Sequence, residues 1–422
     1  MTLPLPQSDP ALVVRSTRIQ DPGDLVSLIP DDAEAPVSWL RDGDGFVGWG
    51  TAAAIQTHGT ARFDDAERWW SGVVRDAVVR SEVDLPGAGL IAVGSFAFAA
   101  ASPAGGVLHV PETVVGRHHD VCWLTTVGTA AHLPTTPALA AGSGADAPVI
   151  ADVRDGALSD NQWTEAVGAA VERIQSGALD KVVMARDVVV TSSTDIDPRH
   201  ILRNLSGAYP NTWTYSVDGL IGATPEMLVR RQKGLVTSRV LAGTIRRTGD
   251  DEHDLALAAS LARSSKDLEE HEYAVRSVAD ALSPHCSSMN VPESPFVLHL
   301  PNVMHLATDV AGVLHEDVSS LTLAASLHPS AAVCGTPTLA ARDLIAELEQ
   351  MDRGRYAGPV GWLDATGDGE WGIALRCGAL ESPSQIRLFA GCGIVAGSEP
   401  AAELSESDAK LVPMRQALGC GS

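Results

Sequence analysis

The stretch "DKVVMARDVVV" (180–190) is apolar almost throughout, as a strand bound for a protein interior is, and period-two alternation puts Lys181 on one face with Val183 and Ala185. Just ahead, "SDNQW" predicts a helix start. Ser159 and Gln162 stand in capping-box positions, and Trp163, Val167, Val171 and Ile174 form an apolar stripe that stops near Gly177. In the first third, "SWLRDGDGFVGWG" predicts a hairpin through its Asp-Gly turn, and "GLIAVGSFAFAA" is an apolar run with small residues. Between them "DDAERWWSGVVRDAVV" has helical spacing. Strands are predicted at "TWTYSVDG", "EMLVRR", "LVTSRVLAGTIRR", "YAGPVGWLDA", "EWGIALRCGALE" and "QIRLFAGCGIV", with two more helices near 265–283 and 400–418. The sum is a mixed α/β (α+β) pattern with mainly antiparallel sheet. "LPTTPALAAGSGADAP" (133–148), rich in Pro, Gly and Ala, reads either as a linker at a domain boundary or as a surface loop inside one large fold.

Composition removes several classes of function. With 422 residues, 45% of them hydrophobic, the chain can bury a large core as one large domain or two to three ordinary ones. Its formal net charge of -23 argues against a nucleic-acid binder, which needs clustered Lys and Arg. The start "MTLPLPQSDPALVV" lacks a basic region ahead of an apolar one, and no apolar run reaches the roughly 20 residues that cross a bilayer. A soluble cytoplasmic protein is expected. Six cysteines without a C-x-x-C pair point to buried thiols rather than a zinc knuckle or a disulfide framework.

Two predicted helices share one layout. In the first, Leu268, Val275, Val278 and Leu282 make the apolar side, and Asp267 and Glu270 fall three apart on its flank. In the second, Leu404, Leu411 and Leu418 are flanked by Glu403, Glu406 and Lys410. The plain alternative is a pair of solvated boundaries, with the acids paired to Lys266 and Lys410. If both flanks face one cleft, the repulsion among their carboxylates demands a cation, and an all-oxygen set with few side chains suits Mg²⁺. Lys181 is either a strand-end lysine that snorkels to water or a sheltered amine. Glu226, after Pro225 in "IGATPEMLVR", is either a strand-edge carboxylate or a carboxyl whose proton burial retains. Together the sheltered forms make a base and an acid.

"DKVVMAR", "GATPEMLVR", "LAGTIRR", "SSKDLEEHEYAV", "HLATDV", "LHPSAAVCGTP", "RGRYAGPVGW", "IALRCGAL" and "AGCGIVAGSEPAAELSESDAKL" occur in this order. In this the chain resembles the chorismate-utilising enzymes, and among them the isochorismate synthases. The resemblance covers roughly 159–416, and 1–150 is a less diagnostic part of what is expected to be one large domain. It implies large, mainly antiparallel sheets packed together with helices outside. The implied reaction is the Mg²⁺-dependent conversion of chorismate to isochorismate, feeding menaquinone or catecholate siderophore synthesis. By the family pattern Lys181 activates a water for attack on ring carbon C2, and Glu226 protonates the departing C4 hydroxyl. Glu270 and Glu406 carry over as principal metal ligands, with Asp267 and Glu403 as outer or water-mediated partners. Arg376 matches an arginine that clamps the enolpyruvyl carboxylate, and Lys410 a residue near the ring carboxylate. Gly243, Thr244, Gly391 and Gly393 match positions that approach the ligand, with a β-bulge as the plain alternative for the glycines. His305 matches a pocket histidine, with a satisfied core residue in an apolar run as the plain alternative. "RHHD" (117–120) matches no motif and reads as a loop entering a strand.

Lys181 separates this chain from anthranilate and aminodeoxychorismate synthases, which resemble it in the acidic helices but take ammonia from a glutaminase partner. No such partner is expected, and a monomer is. Salicylate synthases share the lysine and go on to eliminate pyruvate. They tend to carry a threonine within the stretch matching "HPSAAVCG", where Ala332 stands here, although Tyr356 and Leu375 are shared with lyase-competent members. The reading from another class is a catalytically silent Mg²⁺ or small-molecule binding protein.

Overall fold

The computed structural model describes residues 11–420 apart from 130, 134, 300–302 and 316, and without the side chains of Ala242, Thr244, Lys266 and Glu270. The described strands form a 13-stranded and a 10-stranded sheet. Among them every pairing is antiparallel except that of Leu12–Ile19 with Val78–Ser81. Both sheets mix early and late strands. In the larger one, Val37–Arg41 pairs with Trp213–Val217, and in the smaller one Ile91–Phe96 pairs with Pro359–Asp364. One core lies between the sheets and contains Val14, Trp39 and Tyr215 of the first with Val93, Leu108 and Trp371 of the second. A second core packs Ile201, Leu205, Leu411 and Met414, from helices, against Val188, Val190, Ile221 and Leu388 of the larger sheet.

Local chemistry explains most element starts. The hairpin Val37–Arg41 to Asp44–Trp49 turns on Asp42 and Gly43, at φ 53° and 79°, the left-handed pair that a tight two-residue turn requires. Helix Asp160–Gln175 opens on the expected box: the Ser159 hydroxyl accepts from the Gln162 N–H at 3.4 Å, and the Gln162 side chain accepts from the Ser159 N–H at 3.0 Å. Its Trp163 donates from the indole Nε1 to the Ala185 carbonyl at 2.9 Å, which seats the helix on strand Lys181–Ser192. The acidic helices span Ser265–Leu282 and Pro400–Ala417.

Several elements differ from the sequence pattern. The helix expected over "DDAERWWSGVVRDAVV" ends at Asp76, and Val78–Ser81 becomes an edge strand. "EWGIALRCGALE" is two strands rather than one. Gly369–Ile373 lies in the smaller sheet, and Cys377–Ser382 in the larger, with the chain crossing at 374–376. Helices Pro198–Ala208, Asp251–Leu261, Ser320–Leu327 and Thr338–Leu348 were not among the expected elements. The 133–148 stretch carries no helix or strand among its described residues, and the Gly142 N–H donates to the Ser27 carbonyl at 2.8 Å.

Candidate active site

Strand Lys181–Ser192 runs antiparallel to Gln385–Ile394 with Val183 opposite Gly393 and Ala185 opposite Gly391. Lys181, Val183, Gly391 and Gly393 therefore share one face, which forms a wall of a polar cavity. Glycine keeps that wall open: a Cβ at Gly391 would stand 2.9 Å from the Tyr356 hydroxyl. Glu226 enters the same cavity from the head of strand Met227–Gln232. Arg376 enters from the segment that crosses between the sheets, at φ 49°, a left-handed conformation rare for a non-glycine residue and enriched at functional sites. Backbone bonds hold that crossing, the Ala357 N–H donating to the Ala374 carbonyl at 2.9 Å and the Ala374 N–H to the Gly358 carbonyl at 2.8 Å. Tyr356, also in the wall, stacks on Phe389 with ring centroids 5.1 Å apart.

Of the residues expected at a site, the structure brings Lys181, Glu226, Gly243, Asp267, Ala332, Tyr356, Leu375, Arg376, Gly391, Gly393, Glu403, Glu406 and Lys410 around this one cavity. The snorkelling alternative fails for Lys181, which is only 4% exposed. Gly243 satisfies both of its readings. It lines the cavity, and at φ 76° it sits in a bulge where the register shifts between Ala242 and Thr244. His305 is buried, hydrogen-bonds the backbone of Gly243 and is not in the cavity lining, as its core alternative has it. Burial and the nearby Arg376 and Lys410 lower its pKa to about 3, so the ring is neutral. The side chains of Glu270 and Thr244 lie outside the described residues.

Electrostatics divide the cavity. Desolvation raises Glu226 from 4.5 to about 8, against the opposing pull of Lys181, Arg376 and Lys410, so it carries its proton at neutral pH. Arg376 has its pKa lowered by burial, and Tyr356, Glu406 and Glu226 pull the other way. Burial is the largest influence on Lys410 and opposes its charge, yet the interactions that favour the charge, first among them Glu406 with an oxygen 2.6 Å from Nζ, together hold the pKa above the ordinary lysine value. The same Nζ donates to the Gly391 carbonyl at 2.9 Å.

The ligand atoms of Glu403, Glu406 and Cys392 all lie within 4.8 Å of one another, and Asp267 of the other acidic helix borders the same cavity. Burial raises the Cys392 pKa, so the sulfur remains a neutral thiol, a poor donor to a hard ion, and its S–H donates to the Glu403 carbonyl at 3.3 Å. The anionic donors are thus carboxylate oxygens, which fit a hard divalent cation.

Arg353 is a wall residue that sequence reasoning missed, although it opens the quoted "RGRYAGPVGW". Buried and ion-paired with Glu349, it donates to the Val333 carbonyl at 2.9 Å and the Val183 carbonyl at 2.7 Å. Glu349 in turn accepts from the Ala185 N–H at 2.7 Å. The pair ties the lysine strand to the 330–334 loop. Among the described residues no helix is long and apolar enough to cross a membrane.

Residues 10–419 match the family model described as chorismate binding enzyme. The chain belongs to this family. Isochorismate synthase DhbC of Bacillus subtilis is 40% identical over 269 residues, 61% of this chain and 67% of that protein. A salicylate biosynthesis isochorismate synthase of Pseudomonas aeruginosa is 35% identical over 97% of this chain and 90% of its own length. A solved structure from Bacillus anthracis, described as a 2,3-dihydroxybenzoate-specific isochorismate synthase, superposes with a TM-score of 0.76 at 31% identity, covering 92% of this chain and 97% of the other. The Escherichia coli menaquinone-specific isochorismate synthase MenF, at 24% identity and a TM-score of 0.83 over 97% of this chain and 95% of its own, shares the fold.

Proposed function

We propose that this protein is an isochorismate synthase, converting chorismate to isochorismate by adding water at ring carbon C2 and releasing the C4 hydroxyl as water. The observation that carries the reading is one cavity that joins a buried lysine, a carboxyl protonated at neutral pH, the half-buried Arg376 and carboxylates from two helices. Lys181 takes a proton from the attacking water as general base while the ring double bonds shift. Glu226 gives its proton to the departing C4 oxygen. Both groups end the turn in the opposite protonation state, and exchange with solvent restores them. Arg376 pairs with the enolpyruvyl carboxylate, and Lys410 stands beside the ring carboxylate.

Glu406 and Glu403, with Asp267 and Glu270 of the facing helix, would hold Mg²⁺. The ion would supply positive charge that anchors and neutralises the ring carboxylate. Gly243 and Gly391 let backbone approach the ligand. No glutaminase is required, and the chain is proposed to act as a single cytoplasmic catalytic unit, a monomer.

Incubation with chorismate, with and without Mg²⁺, followed by chromatography of the products, tests this. Isochorismate formed only with Mg²⁺ is expected. Salicylate with pyruvate would make the protein a salicylate synthase, which Ala332 in the wall disfavours and Tyr356 and Leu375 allow. Chorismate bound but unchanged would make it a silent binding protein.

A further inference from the structure

"RHHD" (117–120) has no part in the chemistry above, yet the fold gives it a definite geometry. His118 ends strand Thr113–His118 and pairs across the turn with Val121. Along a strand, consecutive side chains point to opposite faces. His119 breaks that alternation with φ 52°, and the two imidazoles come together with ring centroids 4.3 Å apart and planes inclined by 37°. Asp44, at the head of the neighbouring strand Asp44–Trp49, completes the group. Its carboxylate accepts from the His119 backbone N–H at 3.0 and 3.1 Å, which fixes the oxygens against the hairpin tip.

We propose that Asp44, His118 and His119 bind one divalent transition-metal ion of the Zn²⁺ class. The Nδ1 atoms of His118 and His119 stand 3.6 and 3.5 Å from the same Asp44 oxygen, Oδ2. Those separations are long for hydrogen bonds. They are close to the separation of two ligands on a tetrahedral Zn²⁺, which bonds of about 2.0–2.1 Å place roughly 3.4 Å apart. One ligand atom from each residue lies within 4.8 Å of the others, so small side-chain rotations close the site. Two imidazoles and a carboxylate are the donors a borderline ion takes, whereas Mg²⁺ takes oxygens alone. The His119 side chain is 80% exposed, so the ion has access from solvent, and water can fill the remaining position. None of the three residues lines the active-site cavity, and the proposal is independent of the chorismate reading.

The test is calorimetric titration of tag-free, metal-stripped protein with Zn²⁺ in saturating Mg²⁺, which occupies the carboxylate site without competing for imidazole. One Zn²⁺ per chain at micromolar affinity is expected, weakened at least about tenfold by His118→Ala, His119→Asn or Asp44→Asn, with chorismate turnover unchanged. Because His119 is exposed, His119→Asn keeps the fold, which circular dichroism checks. No binding at about 100 μM Zn²⁺, or binding that all three variants retain, overturns the site.

Discussion

Desolvation in the cavity pushes Glu226 to about 8, and its neighbours Lys181, Arg376 and Lys410 pull it back without restoring an ordinary carboxyl. A carboxyl raised on folding holds a proton that the unfolded chain has already lost. Stability from this group is therefore full below 4.5, falls as pH rises toward about 8, and stays low beyond. In denaturant titrations Glu226→Gln should gain on the wild type across that window, by on the order of a few kcal/mol at the alkaline end. A constant difference between the two proteins would contradict the protonated acid. The same sign governs turnover: kcat/KM should fall as pH rises through about 8, because the acid must carry its proton. Lys181→Ala and Glu226→Gln should each lower turnover by about 100-fold or more, with circular dichroism unchanged. At this scale much was legible. Lys181 declared itself as a charge on an apolar face, whereas Arg353 did not, since an arginine in a loop gives no local sign that its partners are carbonyls of two distant segments. His305 was legible only as a choice between pocket and core, because a motif match does not say whether the ring reaches the cavity or stops at the Gly243 backbone it hydrogen-bonds.

At the scale of elements, the ion pair of Glu349 and Arg353 acts as a clamp on the lysine strand. Arg353→Met leaves a buried carboxylate and two carbonyls without their partner, and a loss of about 3–5 kcal/mol in denaturant unfolding is predicted. Replacing both residues by apolar ones removes the unpaired charge but still leaves the two carbonyls and the Ala185 N–H without partners, so it should cost clearly less than the sum of the two single replacements, and a cost equal to that sum would show that the pair does not act as a unit. Helix Asp160–Gln175 was readable from its capping box, and the hairpin from its Asp-Gly turn. Helix Pro198–Ala208 offered equally good signs, Asp197 as cap and Pro198 at the first position, and was overlooked. The break inside "EWGIALRCGALE" was not readable. Apolar periodicity continues across it, and the change of sheet is made by the left-handed Arg376, a conformation that depends on what the arginine faces rather than on its neighbours in sequence.

Over the whole molecule, two mixed sheets and two acidic helices converge so that segments from residue 181 to residue 410 border one cavity. The convergence was legible as two matching helix flanks, but not the placement of Cys392 beside Glu403 and Glu406, which belongs to the neighbouring strand. Glu406→Gln should raise the Mg²⁺ concentration needed for half-maximal turnover at least about tenfold, and a metal titration matching the wild type would remove it from the ligand set. The most direct measurement of the central claim is turnover of chorismate in H₂¹⁸O with mass analysis of isochorismate. Water activated by Lys181 predicts one ¹⁸O atom in the product, at the C2 hydroxyl, while isochorismate free of label would mean that the original hydroxyl migrates and that no water is activated.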